Sequence, residues 1–279
     1  HIIRHYTEGW ANGYHFDIEY WEIWNEPDCR NADGSNPCWQ GTEEQFIEFY
    51  AVVSKHLKAC FPDLKIGGPA FCSSFYQKDD FKLNFLKAVK ERNMPLDFYS
   101  FHGYLKNVEK VFELSRAATD SLKLAGFDKN PELIYNEWNY VRGWEGEEWI
   151  YSLRQEKALK GAAFIASTMS LCQYAPLDML MYYDARPCGM NGMFKQETYE
   201  CLKGYYPFPM FSELYALGGE VKSETSDEKL LYALGIRQVG EVAASAIAKK
   251  AGELFKMFEM TREQLCEVED IGEITADNI

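Results

Sequence analysis

The chain has 279 residues, of which 47% are hydrophobic and 15% aromatic, with a formal net charge of −14. That length allows one large α/β domain or two smaller ones, and no stretch approaches the roughly 20 apolar residues of a membrane span. The acidic balance excludes a general polyanion binder, because phosphate contacts need clustered Lys and Arg.

In chain order, residues 1–10 are expected to be the tail of a helix and a loop. The chain begins at His1 with no charged and apolar leader pattern, so a signal peptide is expected to be absent or upstream. Residues 18–24 mix aromatic, β-branched and polar types and stop at Asn25-Glu26-Pro27, where proline ends regular pairing. A strand is predicted there. Thr42 and Gln45 make a capping box, after which Phe46, Phe49, Tyr50, Val53 and Leu57 recur at helical spacing until Pro62. Residues 65–71 read as a short strand, and Phe81, Phe85, Leu86 and Val89 mark the next helix. Residues 96–104 give a strand, and Val108, Val111, Phe112 and Leu122 a helical face. Residues 133–138 form another strand, followed by a small-residue helix near 158–169, a last strand at 179–184 and a helix beginning near 211–217.

Strand and helix alternating at crossover spacing specify a parallel sheet with helices outside, and regular repetition favours a (β/α) barrel. The runner-up is a doubly wound fold. No Gly-x-Gly-x-x-Gly follows any strand, which weighs against it. Only five strands are found where a closed barrel needs eight, so the chain is expected to be a fragment of a longer protein or to associate as half-barrels.

Two runs, Ile23-Trp24-Asn25-Glu26-Pro27 and Ile134-Tyr135-Asn136-Glu137-Trp138, each end an apolar stretch with a carboxylate preceded by an amide. Two carboxylates on separate strand ends that share one barrel mouth can hydrolyse a glycosidic bond. His102 and Tyr104 lie two apart on one strand, so both can face that mouth. A single strand-terminal Glu is ordinarily a solvated loop carboxylate; the pair carries the signal. The eight cysteines show no Cys-x-x-Cys metal signature. Cys29 and Cys38 bracket a polar loop beside Glu26, as a disulfide or as two free thiols.

Tyr20-Trp21-Glu22-Ile23-Trp24-Asn25-Glu26-Pro27-Asp28, Phe101-His102-Gly103-Tyr104, Tyr135-Asn136-Glu137-Trp138-Asn139 and Tyr182-Tyr183-Asp184-Ala185-Arg186-Pro187 resemble successive strand ends of retaining clan A glycoside hydrolases. Within the clan they look most like family 39, the β-xylosidase and α-iduronidase family, over about residues 1–230. The resemblance implies an α/β fold, about strands 4–8 of a (β/α)8 TIM barrel. It makes Glu26 the acid/base and Glu137 the nucleophile, with Asn25 on the sugar 2-hydroxyl. His102 would bind sugar and Tyr104 would hold Glu137, while Trp24, Trp138, Tyr183 and Asp184 would line the subsite. Asp184 could instead pair with Arg186. The implied partner is a carbohydrate, on the order of a β-xyloside or related plant-wall oligosaccharide, with no cofactor and no metal. Retention would place the carboxyl groups about 5–5.5 Å apart.

From residue 231 the text changes. Gly235-Ile236-Arg237-Gln238-Val239-Gly240 and Val268-Glu269-Asp270-Ile271-Gly272 look like the helix-hairpin-helix region of bacterial NAD-dependent DNA ligases. The resemblance implies a small all-α segment and DNA contacts at Gly235, Gly240 and Gly272. Asp270 stands where that motif favours Gly, and residues 231–279 carry five Lys plus Arg against nine Asp plus Glu, a balance of 5 − 9 = −4 that opposes nucleic-acid binding. The expected organisation is a partial barrel over 1–218, a junction at 219–230 and a hairpin segment over 231–279. Leu-Tyr-Ala-Leu-Gly occurs at 214–218 and again at 231–235, and a fusion is expected near 230. The competing reading is a DNA-binding hairpin module joined to a non-catalytic half-barrel. Oligomeric state and location, cytoplasmic or secreted, are not constrained.

Overall fold

The register of the sheet follows from where the chain can pair. β1 (Tyr20–Glu22), β2 (Lys65–Phe71), β3 (Phe98–Leu105), β4 (Glu132–Tyr140) and β5 (Met179–Tyr182) form one five-stranded parallel sheet in sequence order. In this computed structural model the described residues are 1–31, 33–72, 81–190, 192–218, 239–252, 254–257, 259–269 and 271–279. Gly235, Asp270 and the expected junction at 219–230 lie outside them. The chain divides into two compact units, His1–Asn139 with Met169–Tyr183, and Tyr140–Thr168 with Asp184–Ile279.

The first unit is a curled half-barrel with helices. Its α1 (Ile2–Thr7) precedes β1, and α2 (Glu43–Cys60), α3 (Phe81–Glu91) and α4 (Val108–Leu124) are the crossovers that parallel pairing demands. The α2 capping box forms as the sequence predicts, with Thr42 accepting from the Gln45 amide and Gln45 accepting from the Thr42 amide. Phe46 and Tyr50 of α2, Phe81 and Phe85 of α3 and Phe71 of β2 are buried together, with edge-to-face ring pairs 4.9 to 5.8 Å apart. Burial of each such ring contributes about 1.5–3 kcal/mol. At the N-terminal end of the strands Lys65 Nζ lies 2.6 Å from Glu132 and donates to Tyr20 Oη at 2.7 Å, while Tyr20 donates to Glu132 at 2.8 Å. This triangle links β1 and β2 to β4 across the intervening β3. Asp97 accepts from Lys58 and from the Ile66 amide, both at 2.8 Å, and so fixes where β2 begins.

The second unit contains α5 (Gly146–Glu156), most of α6 (Leu159–Cys172), α7 (Pro207–Ala216), α8 (Glu241–Ala251) and the short α9 (Leu254–Met257), α10 (Arg262–Cys266) and α11 (Glu273–Asn278). Sequence periodicity does not place α5, whose fully buried residues are the polar Ser152 and Glu156. Val239, Ala244, Ile247, Met257, Leu265, Val268, Ile271 and Ala276 share one core with Ala163, and Leu159 packs against it. The C-terminal helices therefore bury their apolar side on α6. Gly240 and Gly272 are the residues preceding α8 and α11, with extended backbone and open space around them.

Both carboxylate oxygens of Glu156 are buried with no hydrogen-bond partner among the described residues, and burial pushes its pKa up to about 8 against an opposing pull from Lys157. An acid whose folded pKa exceeds its unfolded value of 4.5 binds more protons folded than unfolded between those limits. Its contribution to stability is thus present below about pH 4.5 and is lost as pH rises towards 8. The stability of the second unit against heat is expected to fall from pH 5 to pH 8, and Glu156→Gln to remove most of that loss, adding more than about 1 kcal/mol at pH 8. Equal pH slopes in parent and variant would contradict this.

Candidate active site

The site is assembled from the C-terminal ends of β1, β3 and β4. On β3 the two-residue strand period puts Ser100, His102 and Tyr104 on one face, where they meet Glu22, Glu26 and Glu137. Phe101 and Gly103 face the other side, where Phe101 packs on Tyr135 with ring centroids 4.8 Å apart and the Tyr135 hydroxyl donates to the Gly103 carbonyl at 2.8 Å. A Cβ on Gly103 would sit 1.9 Å from that hydroxyl and 2.5 Å from Leu114 Cδ2. Glycine is required between His102 and Tyr104 because the space is already filled.

Glu26 follows β1 on a segment with left-handed backbone at Trp24 (φ 75) and Glu26 (φ 48). The segment is pinned by Ile23 N to Gly67 O at 2.9 Å and Glu26 N to Ala70 O at 3.0 Å. Two residues on, Asp28 forms a buried ion pair with Lys82 and accepts from the Cys72 amide at 2.9 Å. Removing one partner of such a buried pair costs about 3–5 kcal/mol, so Glu26 is held on a stiff base. On β4 the pairing with β5 shifts register between Tyr135 and Trp138. The irregularity re-aims the strand so that Asn136 and Glu137, adjacent in sequence, both reach partners on the concave side.

His102, 1% exposed, joins the two carboxylates: its Nδ1 lies 2.8 Å from Glu26 Oε1 and 3.4 Å from Glu137 Oε2. Tyr104 donates to the same Glu137 Oε2 at 2.5 Å, and burial together with that bond holds its phenol well above its usual range, so it remains a donor. Glu26, His102 and Glu137 each bring a ligand atom within 4.8 Å of the others. The two Glu side chains are 21% and 23% exposed, open to a substrate.

Below this trio Glu22 accepts from Ser100 Oγ and from Asn136 Nδ2, the latter at 2.9 and 3.0 Å to its two oxygens. Burial raises the Glu22 pKa, opposed by Ser100, His102 and Asn136 and reinforced by Glu137. The residue as a whole is nonetheless exposed to solvent. Sequence reasoning missed Glu22 and Ser100. The signal was present in Ser100, His102 and Tyr104, three polar residues at strand period.

Trp24, 43% exposed, donates from its indole N–H to the Cys38 carbonyl at 3.1 Å and meets Trp39 and Phe49 edge-on. With Trp39, Gln40 and Gln45 it lines a groove of about 620 Å³. Asn25 is exposed beside Glu26. Tyr183 stands edge-on to Tyr104 with ring centroids 6.2 Å apart. One expected subsite residue takes another place: Trp138 is 1% exposed and packs edge-on against Tyr182 at 5.2 Å, so it is core rather than a sugar platform. Asp184 shows the pairing expected as its alternative, with the Arg186 side chain and amide binding both its carboxylate oxygens at 2.8 to 2.9 Å. Cys29 and Cys38 are free thiols.

Residues 1–139 match the family described as Glycosyl hydrolases family 39, and residues 229–279 match the helix-hairpin-helix motif. A β-xylosidase from Geobacillus stearothermophilus is 30% identical over 117 residues, 40% of this chain and 21% of that protein. A DNA ligase from Saccharophagus degradans is 46% identical over 57 residues, 20% of this chain and 8% of the ligase. A glucosidase from Croceicoccus marinus shares the fold at a TM-score of 0.60 and 22% identity, over 76% of this chain and 44% of the glucosidase. The chain thus spans about a fifth of the β-xylosidase and under half of the glucosidase, and it carries a family 39 segment followed by a helix-hairpin-helix segment.

Gly103→Ala is expected to destabilise the first unit by about 1–3 kcal/mol through overpacking. Tyr135→Phe, which removes the blocking hydroxyl, should relieve part of that cost in the double variant. Strict additivity of the two melting-temperature shifts would contradict the assigned clash.

Proposed function

We propose that the family 39 segment acts as a retaining O-glycoside hydrolase, with Glu137 as nucleophile and Glu26 as acid/base. The observation that carries this reading is the Glu26–His102–Glu137 trio, with ligand atoms within 4.8 Å of one another. Retaining pairs stand about 5–5.5 Å apart, whereas inverting pairs leave roughly 6.5–9.5 Å for a water molecule. In the first step a carboxylate oxygen of Glu137 bonds to the anomeric carbon while Glu26 gives its proton to the leaving oxygen. In the second, Glu26 takes a proton from water, which displaces Glu137 and releases the sugar. His102 and Tyr104 both address Glu137 Oε2, leaving Oε1 for bond formation. His102 Nδ1 also holds Glu26 Oε1, orienting the proton donor by the same ring that orients the nucleophile.

The substrate class that fits is a β-xyloside or related plant-wall oligosaccharide, the likeness to a β-xylosidase being its support. Asn25 would meet the 2-hydroxyl, Tyr183 would flank the sugar beside Tyr104, and the Trp24–Trp39 groove would take the leaving portion by stacking. For residues 229–279, the match to a helix-hairpin-helix motif and the likeness to DNA ligases favour a second reading, phosphate binding at Gly240 and Gly272. The balance of nine acidic against five basic residues over 231–279 opposes it, and burial of the segment's apolar side on Leu159 and Ala163 supports a packing role.

Hydrolysis of an aryl β-xyloside by the chain tests the main reading. Glu137→Gln and Glu26→Gln should each lower kcat by at least about 10²-fold, with the β-anomer as the first product seen by NMR. Variants that match the parent rate, or a first product of inverted configuration, would overturn it.

A further inference from the structure

Glu26 belongs to a second cluster of side chains, whose two cysteines the hydrolytic reading does not use. Its carboxylate and the sulfurs of Cys29 and Cys38 offer one ligand atom each, all within 4.8 Å of one another. Cys29 is also hydrogen-bonded to Cys72, which places a third sulfur at the edge of the group. The surroundings are anionic: Asp28 and Glu26 act on Cys29, and Glu137 reaches Cys38 as well. All three ligating residues are partly exposed, so an ion can enter from solvent.

From this geometry we infer that Glu26, Cys29 and Cys38 form a binding site for a borderline-soft divalent cation of the zinc class. Thiolate donors select zinc, cadmium or cobalt over magnesium and calcium, and two sulfurs with one carboxylate leave the fourth tetrahedral position to water. Zinc bonds run about 2.3 Å to sulfur and about 2.0–2.2 Å to oxygen, so donors in a tetrahedral site stand roughly 3.5–3.8 Å apart. To reach that spacing from within 4.8 Å the trio must close by about an ångström. The cation displaces the two thiol protons to solvent, so the two thiolates match its charge and Glu26 adds a third anionic ligand. Bound there, it occupies Glu26 and removes the proton donor. This inhibitory consequence rests on the glycosidase reading; the binding site does not.

Titrating the full reduced chain with cobalt(II) is expected to give thiolate-to-cobalt charge-transfer absorption saturating at one equivalent and displaced by zinc. Loss of an outer-shell partner already weakens a metal site roughly 10–100-fold, so Cys29→Ser and Cys38→Ser should each weaken binding by at least about 100-fold. Cys72→Ser should bind like the parent, and Glu26→Gln should bind more weakly while retaining the charge-transfer band. In the unmutated chain, zinc should protect Cys29 and Cys38 from alkylation, read residue by residue by mass spectrometry. No charge-transfer band, no protection, or parent-like affinity in both Cys→Ser variants would overturn the site. Zinc should also suppress glycoside hydrolysis reversibly by chelator. A chain that binds cobalt through Cys29 and Cys38 yet hydrolyses no glycoside would sink the glycosidase reading and leave the metal site standing.

Discussion

The constraint on which the site depends is that side chains of three different strands meet on the concave face of a curled sheet. His102 on β3 is the common member, bonded at 2.8 Å to Glu26 beyond β1 and lying 3.4 Å from Glu137 on β4. Below it Glu22, Ser100 and Asn136 repeat the pattern across β1, β3 and β4, and at the strand starts Tyr20, Lys65 and Glu132 join β1, β2 and β4. Each level joins strands that are not neighbours in the sheet, so each resists flattening. The interior of a closed (β/α)8 barrel is filled mainly by bulky branched side chains. Here the corresponding levels are polar and satisfied chiefly by one another.

Position of the carboxylates follows from rigid neighbours rather than from the acids themselves. Glu26 sits on left-handed backbone that holds its place because Asp28 and Lys82 are locked together in the core two residues later. Glu137 reaches the concave face because β4 loses regular register near it. Gly103 lets the Tyr135 hydroxyl fill the space behind β3, which fixes the strand carrying both His102 and Tyr104. Orientation of this kind is what the proposed two-step displacement would require, since its acid and nucleophile must serve one substrate without moving apart.

Much of this was legible in the sequence where periodicity reports burial. β2 falls at residues 65–71 as predicted, the Thr42 and Gln45 box caps α2, and five parallel strands appear in order. Glu26, Glu137 and Tyr104 were legible because strand-end motifs place them at one mouth, and Tyr104 does hold Glu137. Trp138 was misjudged because strand alternation breaks at the irregularity beside it, turning it into the core. For Asp184 the sequence left two roles open, and the pair with Arg186, two residues on, is the one that forms. The grouping of Cys72 with Cys29 could not be read, since the pairing of β1 and β2 brings them together across more than 40 positions. Likewise nothing in the hairpin text announces that its core includes Ala163 of α6.

In the proposed reaction Glu137 becomes covalently attached to the sugar while Glu26 moves the proton. A 2-deoxy-2-fluoro-β-xyloside with a good leaving group slows release of a glycosyl-enzyme more than its formation, which makes the intermediate countable. Mass spectrometry of the treated chain should show one added fluorosugar per molecule, carried by the peptide containing Glu137 and absent in Glu137→Gln. Turnover of the reagent with no adduct, or an adduct on Glu26 or another residue, would contradict the account.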